Sequence, residues 1–345
     1  MKKNLKDYTY EELEILVRDG LGEPRFRAKQ IFTWLYRGVE SVDGMTDLSK
    51  KLRDTLRESY SVGNLTILEK YISHIDETRR YLLQLEDGNI IESVLMKYHH
   101  GYTVCISSQV GCAMGCAFCA STRGGRVRSL SAGEITGQVL AVQKDLGARI
   151  SNVVLMGIGE PLDNYDEVLR FLKIVNHPLG LGIGHRHISL STCGLADRIK
   201  MLADEELQIT LSISLHAPND EKRSAIMPVN RRYPIAELLE ACRYYIEKTN
   251  RRISFEYTLI RGVNDTPQEA EELLRLLRGM LCHVNLIPVN PVAETGFSQG
   301  SRKSVEQFQK RLEDGGISAT IRREMGADIS AACGQLRASA GKRKM

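Results

Sequence analysis

No stretch of the 345-residue sequence approaches the ~18 consecutive apolar positions of a membrane span. No apolar segment follows the polar start Met1-Lys2-Lys3-Asn4-Leu5-Lys6-Asp7, so no secretory leader is expected. These absences point to a soluble, cytoplasmic protein with no membrane partner. No internal repeat and no low-complexity segment is evident. A net charge of +4 is too small to argue a nucleic-acid partner from the total alone. Eight cysteines are present, but five of them (Cys105, Cys193, Cys242, Cys282, Cys333) are scattered. That is not the framework of a small secreted disulfide domain. A reducing compartment would keep them as thiols. What remains is globular, with 42% hydrophobic and 26% charged residues. The length suits one large domain and a smaller one.

The other three cysteines lie in Cys112-Ala113-Met114-Gly115-Cys116-Ala117-Phe118-Cys119. A C-x3-C-x2-C spacing can place three thiolates around one compact metal centre. Iron–sulfur clusters are normally held by four cysteines. Three leave one iron of a four-iron cubane without a protein ligand. S-adenosylmethionine can fill that position through its amino and carboxylate groups. An electron passed into its sulfonium would break a carbon–sulfur bond and release a 5′-deoxyadenosyl radical. Zinc, or three unrelated buried thiols, are the competing readings. Structural zinc wants four ligands, usually as two separated pairs. No second Cys/His pair at such spacing follows, and His99 and His100 upstream are a poor substitute.

Residues 1–60 read as a small helical unit. Thr9-x-x-Glu12 is a capping box ahead of Leu13, Leu16 and Val17. Residues 26–37 form a helix, and from Pro24 to Gly38 Arg25, Arg27, Lys29 and Arg37 stand among Phe26, Phe32, Trp34 and Tyr36. Arg123, Arg126 and Arg128 follow the cysteine loop, and Arg337, Lys342, Arg343 and Lys344 end the chain. Basic groups beside aromatic platforms suit phosphate contact and base stacking, though a solvated helix face explains any one patch equally well. Residues 61–98 change period: two β-rich runs, 79–85 and 90–98, meet at Asp87-Gly88, a hairpin signal. Glu92 sits inside the second run, and taken alone it is expected to face solvent.

From 99 to 325 strands and helices alternate, with capping boxes at Ser131-x-x-Glu134 and Thr266-Pro267-x-Glu269. The fold class is α/β, with a parallel sheet curved into a partial (β/α) barrel. Sites in such folds collect at the C-terminal ends of the strands. The cysteine loop, Gly159-Glu160, Ser191, Ser214-Leu215-His216 and Asn290 all fall there. Gly157-x-Gly159-Glu160 suits a ligand's ammonium group, Ser191 and Ser214 a ribose or carboxylate, and Asn290 a sugar hydroxyl. Each serves equally well as a strand-end residue bonded to its own backbone. Residues 326–345 form a C-terminal segment in which Cys333 lies in a small-residue run expected to be flexible. Cys193, Cys242 and Cys282 are expected to be structural.

Together, Gly-Glu-Pro-Arg-Phe-Arg-Ala-Lys-Gln (22–30), Ser-Ser-Gln-Val-Gly-Cys (107–112), the C-x3-C-x2-C loop, Gly-Glu-Pro-Leu (159–162), Ser-Leu-His-Ala-Pro-Asn-Asp (214–220) and Ala-Ala-Cys-Gly-Gln-Leu (331–336) resemble RlmN-type radical S-adenosylmethionine methyltransferases. The resemblance spans nearly the whole chain in the family's motif order. It implies a radical S-adenosylmethionine barrel behind an N-terminal RNA-binding accessory unit and a β-hairpin extension. It implies methylation at C2 of one adenine in 23S rRNA and of the adenine next to the anticodon in tRNA. By the same resemblance, Cys112, Cys116 and Cys119 hold a [4Fe-4S] cluster. Gly159, Glu160, Ser191, Ser214, Leu215, His216 and Asn290 match S-adenosylmethionine contacts, and two molecules are consumed per methylation. Cys333 matches the methyl-carrying cysteine. Glu92 matches the acceptor of the C2 proton, which reverses its solvent-facing reading. Cys105 matches the resolving thiol, which forms a transient disulfide with Cys333. A flavodoxin or ferredoxin electron donor and a monomeric state are further expectations. Two rivals are a Cfr-like enzyme that methylates C8 of the same rRNA adenine and a non-catalytic, zinc-stabilised RNA-binding protein. C2 against C8 selectivity is not readable from first principles.

Overall fold

Short apolar runs alternate with amphipathic helices because each parallel strand is buried on both faces and each helix on one. The computed structural model describes residues 2–290, 292 and 295–337. The basic positions Lys342, Arg343 and Lys344 lie outside the described residues. The chain opens with β1 (Lys3–Asn4), followed by α1 (Tyr10–Ile15), α2 (Phe26–Tyr36) and α3 (Lys50–Ser59). Strand β2 (Tyr60–Ser61) pairs with β1. The Thr9–Glu12 capping box forms as expected.

Next come β3 (Thr66–Ile72), β4 (Arg79–Gln84), β5 (Ile90–Tyr98) and β6 (Gly101–Cys105). Strands β7 (Gln109–Gly111) and β8 (Arg126–Ser129) form a hairpin whose loop carries the three cysteines. Alternation then runs α4 (Ala132–Leu146), β9 (Ile150–Leu155), α5 (Tyr165–Asn176), β10 (Ile188–Thr192), α6 (Ala196–Asp204) and β11 (Thr210–Ser214). It closes with α7 (Asp220–Ile226), α8 (Ile235–Thr249), β12 (Ile253–Leu259), α9 (Pro267–Leu277), β13 (Cys282–Pro288), α10 (Arg302–Asp314) and β14 (Ala319–Ile321).

One 10-stranded sheet has the order β14-β13-β12-β11-β10-β9-β6-β5-β4-β3. From β6 to β14 every pairing is parallel, and β5, β4 and β3 extend the sheet antiparallel. This is the expected partial (β/α) barrel, with the 79–98 hairpin continuing its sheet. Strand β3, the β7–β8 hairpin and α7 were not expected from the sequence. The short β7 and β8 carry no clear alternation. Asp-Glu-Lys-Arg-Ser-Ala-Ile reads as polar loop rather than helix.

The N-terminal helices dock on the barrel. Asp7 Oδ1 accepts the Gly133 amide at the start of α4 (2.9 Å), and Arg170 on α5 donates to Glu12 (2.9 Å). Tyr10 stacks on His177 with ring centroids 4.6 Å apart. Phe32 and Tyr36 are buried in this seam, while Phe26 is 57% exposed with the Arg27 guanidinium over its ring. The interleaved aromatics therefore divide, and only part of that helix can serve as an RNA surface. Among the described residues, no helix is long and apolar enough to cross a membrane.

Candidate active site

The cysteine loop is fixed at both ends by backbone bonds. Cys112 N–H donates to Gly125 O (3.1 Å), and Ala117 N–H donates to Ile226 O at the end of α7 (2.9 Å). Phe118 meets the His216 ring edge-on, with centroids 4.9 Å apart. Cys112 is buried, and Cys116 and Cys119 are half-buried. All three thiols line one cavity, with about 970 Å³ of space inside its walls and mouth. Burial pushes the Cys112 thiol up to about 12 and raises Cys116 and Cys119 as well. Coordination reverses that preference, because a metal deprotonates its thiol ligands. Among the described residues, no three His, Cys, Asp or Glu side chains converge as ligands of a single ion. Three thiols from one loop on one cavity are the donor set of a cluster that leaves one iron open.

The strand ends build the rest of the cavity. Gly159 has φ +106°, and a Cβ there would lie 2.6 Å from Gln109 Cβ, so only glycine lets this turn approach β7. Glu160 is buried, and its carboxylate accepts the amides of Leu162 (3.0 Å) and Cys193 (2.7 Å). Burial pushes its pKa up, while those donors hold it down. Ser191 and Ser214 stand half-buried at the ends of β10 and β11 and line the cavity. His216 has φ 55°, and its Nδ1 accepts the Thr258 amide (2.9 Å), which leaves the ring proton on Nε2. Burial and the nearby Arg223 push its pKa down to about 3, so the ring is neutral. Leu215 is the exception among the expected contacts. Its side chain is fully buried and is not among the lining residues. Its backbone ties the site together, with N–H to Glu256 O (3.1 Å) and C=O to Arg223 Nε (3.1 Å).

A second cavity lies beside the first, lined by Cys105, Met96, Tyr98 and Met325 among others. Met156, Ile287, Asn290, Arg322 and Cys333 line both. Cys333 is not on the flexible run expected for it. Asn290 Nδ2 donates to Cys333 O (2.9 Å), Ala120 N–H to Gly334 O (2.7 Å) and Ser121 Oγ to Leu336 O (2.8 Å). Met325, Ala331 and Leu336 pack on Val94, Met96 and Cys105. The segment is strapped across the cysteine loop by contacts with its own backbone, which its small residues do not advertise. Burial raises the Cys105 thiol to about 12, with Cys333 adding to the rise and Arg322 opposing it.

Glu92 is buried on β5, not solvent-facing, and lines neither cavity. One of its oxygens has no hydrogen-bond partner, and burial pushes the carboxyl up to about 7 against the opposing Arg80. Ser107 Oγ donates to the Glu92 carbonyl (2.7 Å) and fixes its backbone beside the cysteine loop. Sequence reasoning missed Arg322, Arg223 and the cavity-lining position of Cys193. Cys193 stands two residues after Ser191, at the end of the same strand, and that position was the available signal.

Comparison with known proteins gives the family. Residues 106–277 match the Radical SAM superfamily, and residues 3–62 match the ribosomal RNA large subunit methyltransferase N-terminal domain. A probable dual-specificity RNA methyltransferase RlmN of Alkaliphilus oremlandii is 60% identical over 97% of this chain and 98% of its own. One from Thermoanaerobacter sp. is 57% identical, with 97% of each chain covered. The crystal structure of a radical SAM methyltransferase from Sphaerobacter thermophilus superposes with a TM-score of 0.92 at 47% identity, covering 97% of this chain and 99% of that one. The family implies a [4Fe-4S] cluster, S-adenosylmethionine and an RNA substrate. This chain belongs to the RlmN family of radical S-adenosylmethionine RNA methyltransferases.

Proposed function

We propose that the enzyme methylates C2 of one adenine in 23S rRNA and of the adenine next to the anticodon in tRNA, with the one-carbon unit carried on Cys333. The observation behind this reading is that Cys333 lines both cavities, facing the cysteine loop on one side and Cys105 on the other. Cys112, Cys116 and Cys119 would hold the [4Fe-4S] cluster. Gly159, Glu160, Ser191, Ser214, His216 and Asn290 would line the S-adenosylmethionine site, with Leu215 contributing backbone only. Bound there, cluster and S-adenosylmethionine supply one-electron cleavage of a carbon–sulfur bond. Adenine C2 lies between two ring nitrogens and is not nucleophilic, so a polar methyl transfer is closed to it.

The residues of this chain then divide the work. Cys333 presents the carbon as a methyl thioether, which would give up one hydrogen atom to the radical chemistry of the S-adenosylmethionine site before the carbon bonds to C2, the surplus electron returning to the cluster. Glu92 takes the C2 proton. Cys105 attacks the Cys333 sulfur and forms a transient disulfide, the carbon leaving with the bonding pair and taking up a proton to become the methyl group, and a thiol reductant then reopens the disulfide. Two S-adenosylmethionine molecules are used, one for the methyl group and one for the radical. The proposed setting is the cytoplasm, with the enzyme a monomer that draws electrons from a flavodoxin or ferredoxin.

The test is product analysis. Protein purified without oxygen and given an intact cluster is supplied with reductant, methyl-deuterated S-adenosylmethionine and a 23S rRNA fragment or tRNA. Digestion and mass spectrometry should return 2-methyladenosine from both RNAs. The first turnover is excepted from the label where Cys333 arrives already methylated. 8-Methyladenosine would overturn the C2 reading.

Two further outcomes are expected. Replacing Cys112, Cys116 or Cys119 by Ala should leave protein with little bound iron after reconstitution, checked by iron assay and visible absorbance. Phe26→Ala should weaken RNA binding about tenfold, since base–aromatic stacking contributes ~1–3 kcal/mol per base. It should leave S-adenosylmethionine cleavage unchanged, because Phe26 is on the exposed face of α2. A gel-shift titration beside the cleavage assay checks both.

A further inference from the structure

Arg223 on α7 is fully buried. All of its N–H groups are engaged. Nε donates to Leu215 O (3.1 Å), Nη1 to Asn230 Oδ1 (2.8 Å) and Tyr233 O (3.4 Å), and Nη2 to Cys193 O (2.6 Å) and Ser214 O (3.2 Å). Every one of these acceptors is neutral. No carboxylate hydrogen-bonds the guanidinium: Asp220 acts on it only electrostatically, its Oδ1 taking Asn230 Nδ2 (2.9 Å) and the Ile235 amide (2.8 Å). The guanidinium is therefore satisfied in hydrogen bonds by neutral groups, and its charge is paired directly with no acid. A buried full charge is costly unless an opposite charge faces it.

The position of Arg223 shows where that opposite charge belongs. The last residue of α7, Ile226, takes the Ala117 amide of the cysteine loop (2.9 Å). Ile226 and Met227 pack with Met114, Cys116 and Phe118 of that loop. The guanidinium acts electrostatically on the thiols of Cys116 and Cys193. We propose that Arg223 is the counter-charge of the three-thiolate centre, held by neutral acceptors so that its charge remains available to the thiolates and to the electron the centre receives. This inference rests on the reading that the cysteine loop holds an iron–sulfur cluster.

The physical consequence is directional. Three thiolates make the centre anionic, and reduction makes it one unit more negative. A fixed cation in a low-dielectric interior stabilises the more negative state more. Arg223 thus raises the reduction potential and slows loss of the metal. It is a positioning and tuning residue, because its contacts are to carbonyls and not to the reacting atoms.

The pair Arg223→Lys and Arg223→Gln isolates charge from hydrogen bonding, since both lose most of the five-point network and only Lys keeps the cation. Both variants and the parent are reconstituted without oxygen, assayed for iron and titrated electrochemically with EPR detection. Arg223→Gln should have a more negative midpoint, with the reduced-to-oxidised ratio about tenfold lower at a fixed potential, equivalent to ~59 mV for a one-electron couple. Arg223→Lys should stay close to the parent. Equal shifts in Lys and Gln would overturn the proposal, as would no shift in Gln. If Arg223→Gln loads a cluster but does not keep it through the titration, iron loss to a chelator after loading is the second measurement. Slower loss from Lys than from Gln supports the counter-charge, and equal loss refutes it. A parent protein that takes up no iron would instead refute the cluster reading itself.

Discussion

Cys105→Ala is expected to stop the enzyme after a single chemical event and leave protein joined covalently to RNA. In the proposed sequence the transferred carbon is bonded at once to the Cys333 sulfur and to the base. Release requires a second sulfur to attack the first. Cys105 lines the same cavity as Cys333, and the two thiols influence each other electrostatically. The Cys105 thiol is held neutral by burial, with its pKa up at about 12. It is inert at rest, as a resolving thiol beside a reactive intermediate should be. A denaturing gel should show a slow band that is sensitive to ribonuclease, together with fewer than one product per enzyme. Cys105→Ala combined with Cys333→Ala should remove the band, since no sulfur then carries the carbon. Normal release of methylated RNA by the single variant would show that Cys105 is not the resolving thiol.

The parts legible in the sequence are those with local causes. The capping boxes at Thr9, Ser131 and Thr266 form because the residues that satisfy each helix start lie three apart in the chain. The cysteine loop was legible because ligand spacing is itself the signal. The strand-end rule located Gly159, Glu160, Ser191, Ser214, His216 and Asn290 on one cavity. At Leu215 the rule locates only backbone, because position at a strand end does not fix which way a side chain points.

Residues defined by long-range contact were not legible. Arg223 stands in Asp-Glu-Lys-Arg, which reads as solvated, yet its acceptors come from three separate segments of the chain, at Cys193, at Ser214 and Leu215, and at Asn230 and Tyr233. The strap over the cysteine loop is made of carbonyls at Cys333, Gly334 and Leu336, which carry no residue-type signature. On α2 the basic-aromatic interleaving suggested a surface. The helical period instead puts Phe32 and Tyr36 on the buried side with Ile31 and Leu35. For Glu92, position in an apolar strand left two choices, and only the burial of every residue from Ile91 to Met96 shows that both faces of β5 are covered.

Glu92→Gln is expected to slow product formation by ~10²–10⁴-fold, the range usual for a lost general base, and to remove a pH dependence that the parent shows. Burial raises the Glu92 carboxyl from 4.5 to about 7. Below about pH 7 it carries its proton and cannot accept another, so single-turnover methylation should rise with pH through that value and then level off. The Gln variant should show no such step. S-adenosylmethionine cleavage, followed in parallel, should not share the step, since Glu92 lies outside the cavity of the cysteine loop. Stability runs the opposite way. A folded-state pKa above the unfolded one means the folded protein binds this proton more tightly. The contribution is full below about pH 4.5 and is lost as pH rises to about 7. At neutral pH the variant should therefore unfold at a temperature no lower than the parent. A merely structural Glu92 would give the reverse pattern, with lost stability and a retained pH step.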